Sequence, residues 1–207
     1  MKTLSSVLGI TLLLVVANAN AAVTTYCCDA TAEAAYVAAL ATEVPTATTT
    51  QESFEAGPWV ATRTFVRSSV TNFGFRWSRS GNGMRTSTAG SNVHDGTYLM
   101  FVSQLTQPYH PVPDGFRLSN STAGIHGVGG WFRGNGAKLS FTVDGDPNRV
   151  DFTGAEATVT GWKFLGFIDT VSFTSVDVRE ADEGGGAKQA RGGLHLPHLP
   201  ALCRPRP

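Results

Sequence analysis

Alternation of apolar and polar residues dominates the second half of the chain. Leu139, Phe141 and Val143 interleave with Lys138, Ser140, Thr142 and Asp144, so a strand there has one dry face and one wet face. Val150 and Phe152 repeat the pattern, followed by Trp162, Phe164 and Phe167, and then by Phe173, Val176 and Val178. Each run closes at a glycine or aspartate turn. Four such runs in succession over 124–179 predict an all-β fold, an antiparallel β-sandwich. Upstream, a strand is expected over 60–70, and Phe73, Phe75 and Trp77 alternate within another over 71–78. Residues 84–88 read as a short strand and 116–119 as an edge strand. Residues 96–104 are apolar on both faces, which predicts a central strand covered above and below.

One segment follows the helical period instead. In DATAEAAYVAALATEV, residues 29–44, Asp29 stands where a cap is needed and Glu33 falls in the first turn. Ala32, Ala35, Tyr36, Ala39 and Leu40 share one narrow stripe, and Pro45 stops the helix. A stripe this narrow predicts a short helix packed as a lid on one sheet. The sandwich domain is expected over 46–180. All 12 phenylalanines fall between Phe54 and Phe173, and each such ring, fully buried, contributes roughly 1.5–3 kcal/mol. The predicted core is Phe73, Phe75, Trp77, Phe101, Phe141, Phe152, Phe164 and Phe167.

Length and charge narrow the picture. A chain of 207 residues holds one domain with a sizeable core. The opening MKTLSSVLGITLLLVVANANAA carries one lysine, an apolar run and small residues at Ala19 and Ala21. That tripartite pattern predicts a secretory signal peptide over 1–22 and a secreted, periplasmic or extracellular address, with no membrane span in the mature chain. Sixteen basic against 16 acidic residues leave no net charge, so no basic footprint for nucleic acid is expected. Cys27, Cys28 and Cys203 do not form a framework of bridges, and free or loosely paired thiols are expected. The last stretch, 184–207, holds four prolines, four basic residues, no acids and no aromatics. It has neither structural period and predicts a disordered tail that leaves an open sheet edge beside 173–179.

Three pieces carry a family resemblance: EAAYVAALATEV running into ESFEAGPW, then GVGGWFRGNGAKLSFTVDG, then GWKFLGFIDTVSFTSVDVRE. Over about 30–180 the chain resembles uncharacterised bacterial secreted proteins of the PEP-CTERM-associated type, whose single domain is a jelly-roll-like β-sandwich. The resemblance implies that the glycine-rich run before an aromatic marks a strand at a sheet junction. It also implies that F-x-G-F-x-D-x-x-x-F-x-S-V marks the closing hairpin. It conveys fold rather than function, and sorting by an exosortase is not expected, since no Pro-Glu-Pro motif with an apolar helix follows.

Candidate chemistry is sparse. There is no G-x-S-x-G elbow, and His94-Asp95-Gly96 reads as a turn entering a strand. His94, His110 and His126 lack the short spacings of a zinc site. Calcium is the better metal candidate, with Glu52 and Glu55 as oxygen donors and Asp177 opposite; the competing reading makes these solvated acids on strand edges. The loop VDGDPNR lacks the full calcium-loop pattern and reads as a hairpin turn. Sugar binding needs aromatic platforms beside polar groups. Tyr109 and His110, in the proline-rich loop with Asp114, are the expected carbohydrate contacts, unless Tyr109 clips that loop to the core. Asn120-Ser121-Thr122 has the form of a glycosylation acceptor. The chain reads as an exported, non-enzymatic sandwich that binds a polysaccharide or cell-surface component. The alternatives are a sandwich-fold carbohydrate-active enzyme and a structural envelope protein.

Overall fold

The computed structural model describes residues 22–55, 57–63, 65, 67–80, 84–87, 99–102, 115–120, 122–133, 137–152, 158–159, 161–180, 188–191 and 194–198. The Asp29 carboxylate accepts the Ala32 amide at 3.0 Å and caps the helix α1, Ala30–Glu43. At the other end the Val44 amide donates to the Leu40 carbonyl, and Pro45 prevents a further turn. Ahead of the helix lies β1 (Val23–Cys28); after it come β2 (Thr48–Glu52) and a 3-10 helix, Gly57–Arg63. Short strands follow: β3 (Ser69–Asn72), β4 (Phe75–Ser80), β5 (Met84–Ser87), β6 (Leu99–Val102) and β7 (Gly115–Ser119). The region of strongest alternation supplies β8 (Ile125–Arg133), β9 (Ala137–Val143), β10 (Thr158–Val159), β11 (Trp162–Phe173) and β12 (Ser175–Glu180). Two more strands, β13 (Lys188–Arg191) and β14 (Leu194–His198), complete the order.

The strands form two antiparallel sheets. The larger runs β1-β11-β8-β13-β6-β5, with β14 also paired to β8 and β2 paired to β14; the six-stranded sheet runs β10-β9-β12-β7-β4-β3. Between the sheets lies a continuous series of rings. Trp59 and Trp77 meet Phe54, Trp77 meets Phe116, and the series continues through Phe132, Phe141 and Phe167 to Phe173. The helix covers the other side of the larger sheet at β1, β11 and β8, as its narrow stripe predicts. There Tyr36 and Leu40 close over Trp131, Phe164 and Ile168. Tyr26 donates to Glu43 at 3.0 Å and the Trp131 indole to Glu33 at 3.0 Å, so both acids of the helix tie it to the sheet.

The antiparallel sandwich is as the alternation predicts, and several local expectations are corrected. The start of the expected 60–70 strand is 3-10 helix: Thr62 bonds back to the Trp59 carbonyl at 2.6 Å, and Trp59 enters the core from there. Phe73 is 63% exposed in the turn between β3 and β4 rather than in the core. Phe164 packs under α1 while Phe167 faces the other sheet, because positions three apart on a strand point to opposite faces. The side chain of Phe101 lies outside the described residues. Strand β7 is interior, paired with β4 on one side and β12 on the other.

Strand β12 likewise has β9 and β7 beside it, so the expected open edge is not there. The tail segments β13 and β14, for which disorder is expected, run between β8 and β6 and between β8 and β2. Main-chain pairing is indifferent to composition and answers the unpaired edges of their neighbours. Cys27 and Cys28, adjacent in β1, are joined as a disulfide rather than free.

Candidate binding face of the six-stranded sheet

The outer face of the six-stranded sheet is built by the same alternation that fills the core. Phe75 and Trp77 point inward, so Arg76 between them is exposed on the outside. Phe116 and Leu118 do the same for Arg117, and Val176 and Val178 for Ser175, Asp177 and Arg179. Register then sets these positions beside one another. Arg76 stands opposite Ser119, Arg117 opposite both Ser78 and Asp177, and Arg179 opposite Gly115 and Ser140. Arg76, Arg117 and Arg179 are therefore successive diagonal neighbours across β4, β7 and β12, each step about 7–8 Å.

One carboxylate lies on this diagonal. Asp177 is only 6% exposed although it faces outward, because the arginines flank it. Arg179 Nη2 approaches Oδ1 at 3.0 Å and Arg117 Nη1 approaches Oδ2 at 3.7 Å. Arg117 Nη2 also donates to Ser175 Oγ at 2.8 Å. Two guanidinium groups thus share one carboxylate, with Arg76 one diagonal step away, amid serine and threonine hydroxyls.

A ring stands at one corner of this face. Asn72 pairs with Phe75, which leaves Phe73 and Gly74 as a two-residue turn with φ of 51° and 81°. Positive φ at both positions is the type I′ pattern, in which the first place normally goes to Asn, Asp or Gly. The turn is braced from below. Asn72 Nδ2 donates to Glu52 Oε2 at 2.7 Å, while Glu52 Oε1 accepts the Phe54 amide at 3.0 Å. Glu52 is 2% exposed, so a buried carboxylate from the larger sheet holds the hairpin that presents Phe73.

Among the described residues, those expected to carry chemistry do not form one group. Tyr109, His110 and Asp114 lie outside the described residues, as do His94 and Asp95. Glu52 and Asp177 belong to different sheets and have the partners just given; Glu55 is half-buried on the way into the 3-10 helix. Among the described residues no three His, Cys, Asp or Glu side chains converge as metal ligands. Asn120 is 4% exposed, and its side-chain oxygen accepts from Thr122 and from the Ala123 amide. It is a capping residue of the turn after β7 rather than an exposed glycan acceptor. His126 Nδ1 lies 2.9 Å from the Asp169 carbonyl oxygen, and Arg149 Nε bonds the buried Asp169 carboxylate at 2.6 Å. That group braces the irregular stretch of β11 between Ile168 and Phe173.

The sequence contains every element of the outer face without showing it. An arginine between two aromatic residues is the only local sign. The diagonal exists only once three strands, 40 to 100 positions apart in the chain, come into register. A groove of about 370 Å³ lies between α1 and the start of β2, lined by Val37, Leu40, Val44 and Ala47 among others. Among the described residues no helix is long and apolar enough to cross a membrane.

No family model and no curated protein matches the chain. Among solved structures, TmCBM61 in complex with β-1,4-galactotriose aligns with 61% of this chain and 85% of its own length, at 20% identity and a TM-score of 0.31. A similarity of this size identifies neither a ligand nor a site.

Proposed function

We propose that this protein is an exported, non-enzymatic β-sandwich that binds polysaccharide at the corner and outer face of its six-stranded sheet. The observation that carries the reading is Phe73. A phenylalanine ring 63% exposed, at a backbone position that disfavours any side chain with a Cβ, costs the fold about 1–2 kcal/mol and buries little in return. An exposed ring on a braced turn, at the corner of a face that carries hydroxyl and guanidinium groups, suits stacking against a sugar, with polar groups of the face fixing its orientation. A binding role rather than catalysis is supported by the carboxylates of this region, one under the turn and one on the outer face. Glu52 and Asp177 are both engaged by donors of the fold itself.

The test is a substitution that suits the backbone and removes the ring. Phe73→Asn is expected to hold or raise the melting temperature, by up to about 1–2 kcal/mol of relieved strain, while abolishing retention on insoluble polysaccharide in a pull-down. Unchanged retention, or a loss of retention only because the fold is lost, would remove the platform and with it this reading.

A further inference from the structure

The charge of the outer face names a class of ligand, on the reading that this face binds polysaccharide. Over the whole chain the charges cancel, with 16 of each sign. On this face they do not. Among the described residues, Asp177 is the carboxylate on the diagonal of Arg76, Arg117 and Arg179 and is paired with the last two, while Asp144, reached through Ser175, is taken up by donors from Thr174 and Ser175. Arg76 is exposed, and the Arg117 side chain is 50% exposed although its Nη atoms reach Asp177 and Ser175. We propose that the outer face of the six-stranded sheet is a binding site for an anionic polysaccharide, carboxylated or sulfated, lying along the diagonal from the Phe73 turn through Arg76 and Arg117 to Arg179.

Three features of the face fit that occupant. First, its cations are arginines, whose planar forks pair with carboxylate or sulfate oxygens through two parallel hydrogen bonds. Second, the cations lie in a line rather than a cluster. Diagonal steps of about 7–8 Å match an extended chain carrying repeated charges better than one compact anion. Third, the line starts at an exposed ring, and serine and threonine hydroxyls border it, so uncharged sugar faces and hydroxyls have partners too. Strand pairing holds the backbone beneath it on both sides at β7 and β12, so the spacing is preorganised rather than assembled on binding.

The experiment compares polygalacturonate, dextran sulfate and uncharged polysaccharides, including dextran, as probes for the full chain, with duplex DNA as a polyanion lacking pyranose rings. Binding to polygalacturonate or dextran sulfate should exceed binding to dextran at least tenfold at low salt and should weaken as salt rises. Which of those two binds more tightly distinguishes carboxylate from sulfate. Arg76→Gln should weaken binding about tenfold without lowering the melting temperature. Arg117→Gln should do the same, since Arg179 still pairs Asp177; if it unfolds, Arg76→Gln carries the test. The proposal is overturned if the charged polymers bind no better than the uncharged ones, if Arg76→Gln binds them unchanged, or if DNA binds as tightly as either. Retention of an uncharged polysaccharide that Phe73→Asn abolishes would sink the charge assignment alone. Retention of no polysaccharide would sink both readings.

Discussion

The same turn occurs twice in this protein with different first residues. Val143 and Asp146 exchange backbone hydrogen bonds at 3.1 and 2.8 Å around Asp144 and Gly145, whose φ values are 47° and 85°. There the left-handed position holds an aspartate, and its carboxylate is put to use. Asp144 accepts from the amides of Thr174 and Ser175 and from both hydroxyls, at 2.8 to 3.2 Å. Partial burial opposes the charge, but the bonds from Thr174 and Ser175 outweigh it and hold the Asp144 pKa below its ordinary value. A lowered folded pKa gives stability that is present above about pH 4 and is lost as pH falls through the folded value. The melting temperature should therefore drop on acidification below about pH 4. Asp144→Asn, which tolerates the same φ, should cost about 1 kcal/mol at neutral pH and flatten that acid limb. A variant with an unchanged acid limb would assign the pH dependence to other carboxylates. Phe73 is the contrasting case, a residue whose place in its turn has no such local reason.

Glycine in β8 and β11 is what lets the helix approach the sheet. Gly129 pairs with Gly166, and Tyr36 of α1 lies over both. A Cβ on Gly129 would stand 2.6 Å from the Tyr36 ring, and one on Gly166 would stand 3.0 Å from it. The GVGGW run thus encodes the seat of one tyrosine, and that burial raises the Tyr36 hydroxyl pKa well above the usual range. Gly129→Ala should destabilise the protein by about 1–3 kcal/mol, as overpacking does, read as a fall in denaturation midpoint. Adding Tyr36→Ala should make the double variant less destabilised than the sum of the two changes. Strict additivity would mean that the two positions do not share this contact.

At the scale of the whole molecule, the late strands β13 and β14 bridge elements far apart in the chain. β13 links β8 to β6 and β14 links β8 to β2. Removing everything after Glu183 would expose one edge of β8 and leave β2 and the β5–β6 pair without their neighbours. Such a truncation should lower stability by several kcal/mol, on the order of 10 °C in melting temperature for a chain of this size, and should promote self-association through the open edges. Size-exclusion chromatography and thermal melts together check this. A truncated chain that stays monomeric with an unchanged melt would show that the two strands add nothing.

Periodicity alone determined the parts of this protein in which each residue's fate depends on its neighbours. The alternation of Leu139, Phe141 and Val143 identified a half-buried strand, and Asp29 with its alanine-rich stripe identified a capped, sheet-covering helix, because both periods are properties of local backbone geometry. Tertiary structure decided what local geometry leaves open. It placed Phe73 outside the core because a hairpin must turn somewhere, and it made β7 interior because partners on both sides come from distant segments. It turned Glu52 into the brace of another sheet's turn. It drew the tail into ladders, since unpaired strand edges accept any backbone that reaches them. Above all it assembled Arg76, Arg117 and Arg179 into one diagonal, because register between strands is set by pairing across the sheet and has no signature within any single strand.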